Sequence, residues 1–240
     1  MDYDEFKSWL EILLCNSPVK GDYPTAGKYK FPQLAQVNYL PEEPVYPFNY
    51  LKSTLTKGRY WYHCFTAERN FHRLYNCFQD YVELLRQAKG IISADFSLFR
   101  DYPEEVLIAK CRANRLVDYA LQQAGIPMIP TAGFAGESSW EWCFDGLPQN
   151  STVAVTTNCL GFANRIDEAF DQIADELARY PDDEPKPPGK VVFLSRHESF
   201  EIGFRAFCEG YKEAKRKGFI RGEVEFWFHG EIHTFEEEEE

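Results

Sequence analysis

The chain has 240 residues, of which 44% are hydrophobic and 16% aromatic, so it can bury a large core and is not a disordered chain. No apolar run is long enough to cross a bilayer, and the acidic N-terminus lacks the basic region of a secretory signal, so we expect a cytoplasmic protein without a membrane partner. The formal charge of −12 argues against direct binding to duplex nucleic acid and favours a basic protein as a partner.

Residues 1–57 are predicted to form an N-terminal helix followed by an irregular wrap. Between Asp4 and Cys15, apolar side chains recur at helical spacing. The following residues, Val19 to Lys57, are rich in Pro, Tyr and Gly. We expect this segment to pack around the core, because its aromatic side chains need burial and long structureless loops are uncommon in compact domains.

Residues 58–218 are predicted to form the core domain, because apolar strands alternate there with amphipathic helices. The expected strands are Arg59–Phe65, Ile91–Asp95, Ile126–Thr131, Thr152–Thr157 and Val191–Leu194. Right-handed crossovers make such an alternation an α/β fold with a mainly parallel sheet and packed helices. The sequence is compatible with either an open doubly wound sheet or a partial barrel. Residues 219–235 are expected to form a small C-terminal β-hairpin, and residues 236–240 a disordered acidic tail.

Polar residues follow several of these strands, and the carboxyl ends of parallel strands meet at one edge of a sheet. We therefore expect one site there for an anionic small molecule, such as a nucleotide, that the protein binds or hydrolyses. Asp95 and His197 are the candidate catalytic residues. The candidate ligand-binding residues are Ser97, Arg112, Arg115, Thr131, Thr157 and Asn158.

Structural roles explain the same residues. Asp95 or Asp101 could instead cap the following helix, and the two arginines could pair with acidic neighbours on the surface. The chain lacks a P-loop, a dinucleotide fingerprint, a Gly-x-Ser-x-Gly elbow and a His-Glu-x-x-His motif. Its seven cysteines are scattered singly, without a Cys-x-x-Cys pair. The sequence therefore predicts no metal site and identifies no cofactor.

The segment Ile92–Pro103 resembles a family of uncharacterised proteins from bacteria, phages and plasmids, whose members carry a similar S-x-D-F-S-aromatic-x-D-x-P segment. The resemblance covers roughly Tyr46 to Leu194, but the loop Ala132–Glu137 departs from the polar or basic, Trp-containing and acidic pattern of the relatives. It implies a mobile-element setting and a shared fold, and it supplies no activity, cofactor or catalytic residue.

The alternative to ligand handling is a function in protein interaction. The chain could be a non-enzymatic interaction protein of a mobile element, in which the acidic surface binds a basic host or phage protein. An inhibitor of a host defence complex is one example. The sequence leaves open whether the protein is an enzyme.

Overall fold

The computed structural model describes residues 17–135, 137–156, 189–194, 212, 216, 225–228 and 230–233. The chain divides into two compact units, Met1–Pro148 and Gln149–Glu240. Each unit has a four-stranded sheet among its described residues. Of the helices that the structure describes, none has both the length and the apolar character that a membrane span requires.

The first unit contains six described strands: β1 Thr25–Ala26, β2 Phe31–Pro32, β3 Val45–Pro47, β4 Trp61–His63, β5 Gly90–Ile92 and β6 Met128–Ile129. Strands β1 and β2 pair antiparallel with each other. Strands β3 to β6 form a sheet in sequence order, and each neighbouring pair is parallel. The carboxyl ends of these four strands therefore lie at one edge of the sheet.

The helices of the first unit are α1 Leu51–Thr54, α2 Arg73–Asn76, α3 Phe78–Leu85, α4 Glu104–Gln123 and α5 Glu137–Trp140. Short 3₁₀ turns cover Phe48–Tyr50 and Glu68–Asn70. Helices α2 and α3 lie in the connection from β4 to β5, and α4 lies in the connection from β5 to β6. These are the crossovers that parallel neighbours need.

Helix α4 is the longest described helix, and its ends follow from local sequence. It begins after Pro103, with two acidic residues in the first turn near the positive end of the helix dipole. Pro103 occupies the N-cap without a side-chain cap hydrogen bond, so the alternative in which Asp95 or Asp101 caps this helix is wrong. The helix stops at Gly125, which takes a φ of +69° that only glycine adopts without strain.

The core of the first unit lies between the helices and one face of the sheet. Tyr62, Ile91 and Met128 stand side by side on neighbouring strands, and all three belong to the main apolar cluster. Leu85 of α3 and Val117 of α4 belong to the same cluster and are fully buried. Burial of such side chains contributes about 1.5–3 kcal/mol each, so this face fixes α4 against the strands.

The second unit contains the described strands β7 Thr152–Thr156, β8 Lys190–Leu194, β9 Glu225–Phe228 and β10 Glu231–His233. Their order is β10-β9-β8-β7. Strand β8 is parallel to both β7 and β9, and β10 pairs antiparallel with β9. The predicted C-terminal hairpin is therefore confirmed.

The α/β fold with mainly parallel pairing is confirmed, and the described strands form open sheets without barrel closure. The expectation of one sheet is wrong, because β7 pairs with β8 and not with a strand of the first unit. A run such as Thr152–Thr156 can form its backbone hydrogen bonds with any parallel strand, so its sequence pattern does not show which strand it pairs with. The irregular wrap also supplies an edge strand, β3, which its proline content concealed.

Candidate functional site

The carboxyl edge of the first sheet collects residues from three consecutive strand ends. Glu68 lies in the 3₁₀ turn after β4, and Asp95 and Ser97 follow β5. Gly133 lies in the loop after β6. An added Cβ at Gly133 would lie 3.7 Å from Asp95 Oδ1, so the backbone of this loop passes close to the Asp95 carboxylate.

A buried ion pair joins the strand ends to helix α4. Lys110 Nζ donates to Glu68 Oε1, and the Lys110 side chain is 4% exposed whereas that of Glu68 is 29% exposed. The same Glu68 oxygen accepts a hydrogen bond of 2.9 Å from the backbone nitrogen of Ser97. Lys110 Nζ also lies 5.1 Å from the centre of the Tyr102 ring. The pair thus ties the β4 turn, the segment after β5 and helix α4 together.

Asp95 is partly buried beside this ion pair. Together, three effects raise the pKa of its carboxyl to about 7: desolvation is the largest, the nearby Glu68 carboxylate adds to it, and the Lys110 ammonium opposes both. A carboxyl that titrates near neutral pH exchanges a proton readily there, which is the property that a general acid or base needs.

Helix α4 presents a row of buried polar side chains toward the segment after β5. Lys110, Asn114 and Asp118 are four residues apart, which places them on one ridge of the helix, and all are buried. Asn114 Oδ1 accepts a hydrogen bond of 2.8 Å from Phe96 N, and Asn114 Nδ2 donates to Phe96 O at 3.4 Å. Asn114 therefore fixes the backbone of the residue next to Asp95.

Asp118, the last residue of this row, is fully buried. Burial raises the pKa of its carboxyl to about 7, and the Arg115 guanidinium and the Ser93 hydroxyl oppose the shift. Arg115 Nη1 lies 3.5 Å from Asp118 Oδ2. Burying such groups costs free energy, so a helix that only packs against a sheet would carry apolar residues here. The row is therefore a physical indication of a functional region.

The two arginines of α4 donate to the protein's own backbone. Arg115 is 1% exposed, and its guanidinium donates to the carbonyls of Thr131 (3.2 Å), Cys143 (2.9 Å) and Asp145 (3.1 Å). Arg112 donates to the carbonyls of Tyr29 and Lys30, between β1 and β2. Both side chains thus hold the loops around α4 in place.

Thr131 is buried, and its hydroxyl donates to the carbonyl of Ala94 at 2.7 Å. This bond ties the end of β6 to the residue before Asp95. Thr131 contributes to the site through the backbone that it fixes.

Of the predicted site residues, Asp95, Ser97 and Thr131 lie at the carboxyl edge of the first sheet. The other three predicted residues, Thr157, Asn158 and His197, lie outside the described residues. Thr157 follows β7 and His197 follows β8, so their strands belong to the second unit. In the part of the chain that the structure describes, no three His, Cys, Asp or Glu side chains are grouped so that they could hold a metal ion.

Sequence reasoning missed Glu68 and Lys110. A signal for Lys110 exists, because it stands four residues after Val106 and three before Ala113 on the apolar stripe of α4. A lysine on such a stripe needs a buried partner, and Glu68 supplies it.

These features define a parallel α/β protein whose polar groups collect at the carboxyl edge of its first sheet. The chain belongs to the family described as a domain of unknown function, DUF4417, whose family model matches residues 23–180. The expected relation to an uncharacterised family with phage members is confirmed, since the chain is also similar to phage proteins.

Two such relatives carry the name Gene 1 protein. The one from Mycobacterium phage D29 is 24% identical over 151 residues, which is 62% of this chain and 55% of the relative. The one from Mycobacterium phage L5 is 28% identical over 95 residues, which is 40% of this chain and 42% of the relative. The chain thus spans about half the length of the curated relatives that it matches. No solved structure shows significant similarity to it.

Proposed function

We propose that the protein binds a small anionic ligand of the nucleotide class at the carboxyl edge of its first sheet and hydrolyses it, with Asp95 as the general base. The observation that carries this proposal is the position of Asp95 beside the buried Glu68–Lys110 pair, under the loop that contains Gly133. Ligands of open α/β sheets bind outside the carboxyl ends of the strands, which supports the choice of this edge.

The chemistry follows from the protonation of Asp95. Its ionised carboxylate takes a proton from a water molecule, whose oxygen forms the new bond to the phosphorus atom of the ligand. The old bond breaks on the opposite side of the phosphorus, where the departing oxygen takes a proton from solvent, and Asp95 then releases its own proton to water. A pKa near 7 leaves a large share of Asp95 ionised at neutral pH and makes it a stronger base than an ordinary aspartate.

The surrounding side chains hold Asp95 in position. Glu68 fixes the Ser97 backbone, Asn114 fixes Phe96 and Thr131 fixes Ala94, so each residue that flanks the Asp95 position is tied by at least one hydrogen bond. Such orientation supports catalysis, because a reacting group that is already placed loses little freedom in the transition state.

The test measures phosphate release from a panel of nucleoside mono-, di- and triphosphates. We expect turnover of at least one nucleotide and a loss of about 10²–10⁴-fold in the Asp95→Asn protein. Asp101→Asn is the matched control, because Asp101 is an exposed carboxylate on the same segment and should be neutral. Full turnover in a folded Asp95→Asn protein would contradict the proposal.

The acidic surface favours a second proposal. The net charge of −12, together with the exposed aromatic residues Tyr39, Tyr50 and Phe99, suits a non-enzymatic protein that binds a basic host or phage protein, for example as an inhibitor of host defence. Its test is a pull-down from host extract at low salt. A stoichiometric basic partner that high salt releases and that the Asp95→Asn protein still captures supports this alternative, and the absence of any stoichiometric partner opposes it.

A further inference from the structure

A surface cavity of about 370 Å³, largely open to solvent, lies at the opposite, amino edge of the first sheet. Its lining includes residues that directly precede the strands, such as Lys89 before β5 and Pro127 before β6. The irregular wrap contributes Tyr39, Leu40 and Glu42 to the lining of the cavity. Cavities of this size are typical of small-molecule sites, and the proposed hydrolytic site does not use this one.

Two aromatic side chains, Trp61 and Tyr39, form one wall of the cavity. Trp61 is 4% exposed, and its indole lies across the backbone of Gly90, where an added Cβ would come within 2.5 Å of the ring. The absence of a side chain at Gly90 thus leaves room for the indole. The Tyr39 ring is centred 6.3 Å from that of Trp61 and is 45% exposed. The two ring planes are tilted by 52°, so the exposed Tyr39 ring is the surface available for stacking a planar ligand, and the buried Trp61 ring packs beside it.

The polar lining favours an anion. Arg59 donates through Nε to Gln87 O at 3.1 Å and through Nη2 to Ala88 O at 3.0 Å, which holds its guanidinium at the end of helix α3. A guanidinium has five N–H donors, so these two bonds leave donors for a ligand.

The remaining charges belong to Lys89 and Glu42, which form an ion pair with side chains 40% and 68% exposed. Exposed pairs of this kind contribute little to stability, so Lys89 can transfer to a ligand anion at low cost. Two cations and one carboxylate thus line a cavity in a chain whose net charge is −12.

We propose that this cavity binds a nucleoside monophosphate, with the base stacked on the exposed Tyr39 ring beside Trp61 and the phosphate on Arg59 and Lys89. The aromatic wall and the cations are both needed, because each alone recognises only half of such a ligand. The site lies at the edge opposite Asp95, so it is independent of the proposed hydrolytic site.

The experiment is isothermal titration of the full chain with adenosine 5′-monophosphate, adenosine and inorganic phosphate as probes. We expect the monophosphate to bind more tightly than either fragment. The Tyr39→Ala protein lacks the stacking surface, so it should bind the monophosphate about tenfold more weakly. We expect a loss of similar size in the Lys89→Gln protein, because the phosphate loses one cation.

Matched controls separate this cavity from the rest of the surface. Tyr50→Ala removes a tyrosine that is equally exposed, at 51%, and lies outside the cavity lining, and Arg86→Gln breaks the comparable exposed pair with Glu83. Both controls should bind the monophosphate as the parent protein does. Absence of binding at millimolar concentration would overturn the inference. So would binding that survives Tyr39→Ala and Lys89→Gln but is lost in Asp95→Asn, since the ligand would then lie at the other edge.

Discussion

The Lys110→Met substitution tests whether the buried ion pair holds the carboxyl edge together. Methionine keeps most of the side-chain length but leaves Glu68 without the ammonium. Removing one partner of a buried pair costs about 3–5 kcal/mol. Glu68 keeps partial solvent contact and its bond from Ser97, so we expect a loss below that range, about 2–3 kcal/mol of unfolding free energy.

The double variant Lys110→Met/Glu68→Gln isolates the pair. Removing both charges leaves no uncompensated carboxylate, so its loss should be smaller than the sum of the single losses by about 1–2 kcal/mol. Hydrogen exchange of peptides from α4, measured against urea concentration, reports on the first unit alone.

The control is Arg86→Met, which breaks a pair whose side chains are 50% and 71% exposed and should cost under about 1 kcal/mol. A Lys110→Met loss no larger than that of the control, or additive losses in the double variant, would refute the reasoning.

Three further predictions follow from the same structure. Arg115→Lys should cost about 2–4 kcal/mol, because lysine cannot donate to three separate carbonyls at once; urea unfolding measures it, and a loss below about 1 kcal/mol would speak against the role. Burial raises the pKa of Asp118 from 3.8 to about 7, so the folded state holds a proton that the unfolded chain releases, and this contribution to stability is lost as the pH rises over that interval. The Asp118→Asn protein should therefore lose less stability over the interval than the parent, and parallel curves would contradict this; the opposite contribution of His63, whose pKa burial lowers to about 4, is common to both proteins and cancels. Gly90→Ala should cost about 1–3 kcal/mol, because its Cβ would come within 2.5 Å of the Trp61 ring, and an unchanged melting temperature would show that the ring moves freely.

The sequence predicts the strands well, because buried parallel strands appear as short apolar runs bounded by turn residues. Strands β4, β5 and β8 each overlap their predicted segments, and the C-terminal hairpin lies where it was expected. Strand pairing could not be predicted in the same way. Apolar runs such as those of β6 and β7 carry no information on which neighbour each will choose, and the two strands lie in different sheets.

Part of the candidate site could be predicted because Asp95 and Ser97 lie within a few residues of the end of a strand. The role of Glu68 depends on the 3₁₀ turn that carries it back to the segment after β5, and that turn has no distinctive sequence pattern. The sequence suggests that Arg115 binds an anion, yet its guanidinium donates hydrogen bonds to backbone carbonyls. Which carbonyls lack partners is a property of the folded loops, so no spacing rule reveals this role.

The most direct test of the central claim is an NMR titration of the Asp95 side-chain carboxyl. We predict a midpoint of about 7 in the parent protein and a lower one in the Glu68→Gln protein, because the neighbouring negative charge that raises the pKa is then removed. A midpoint of about 4 in both proteins, which is the ordinary value for an aspartate, would contradict the account.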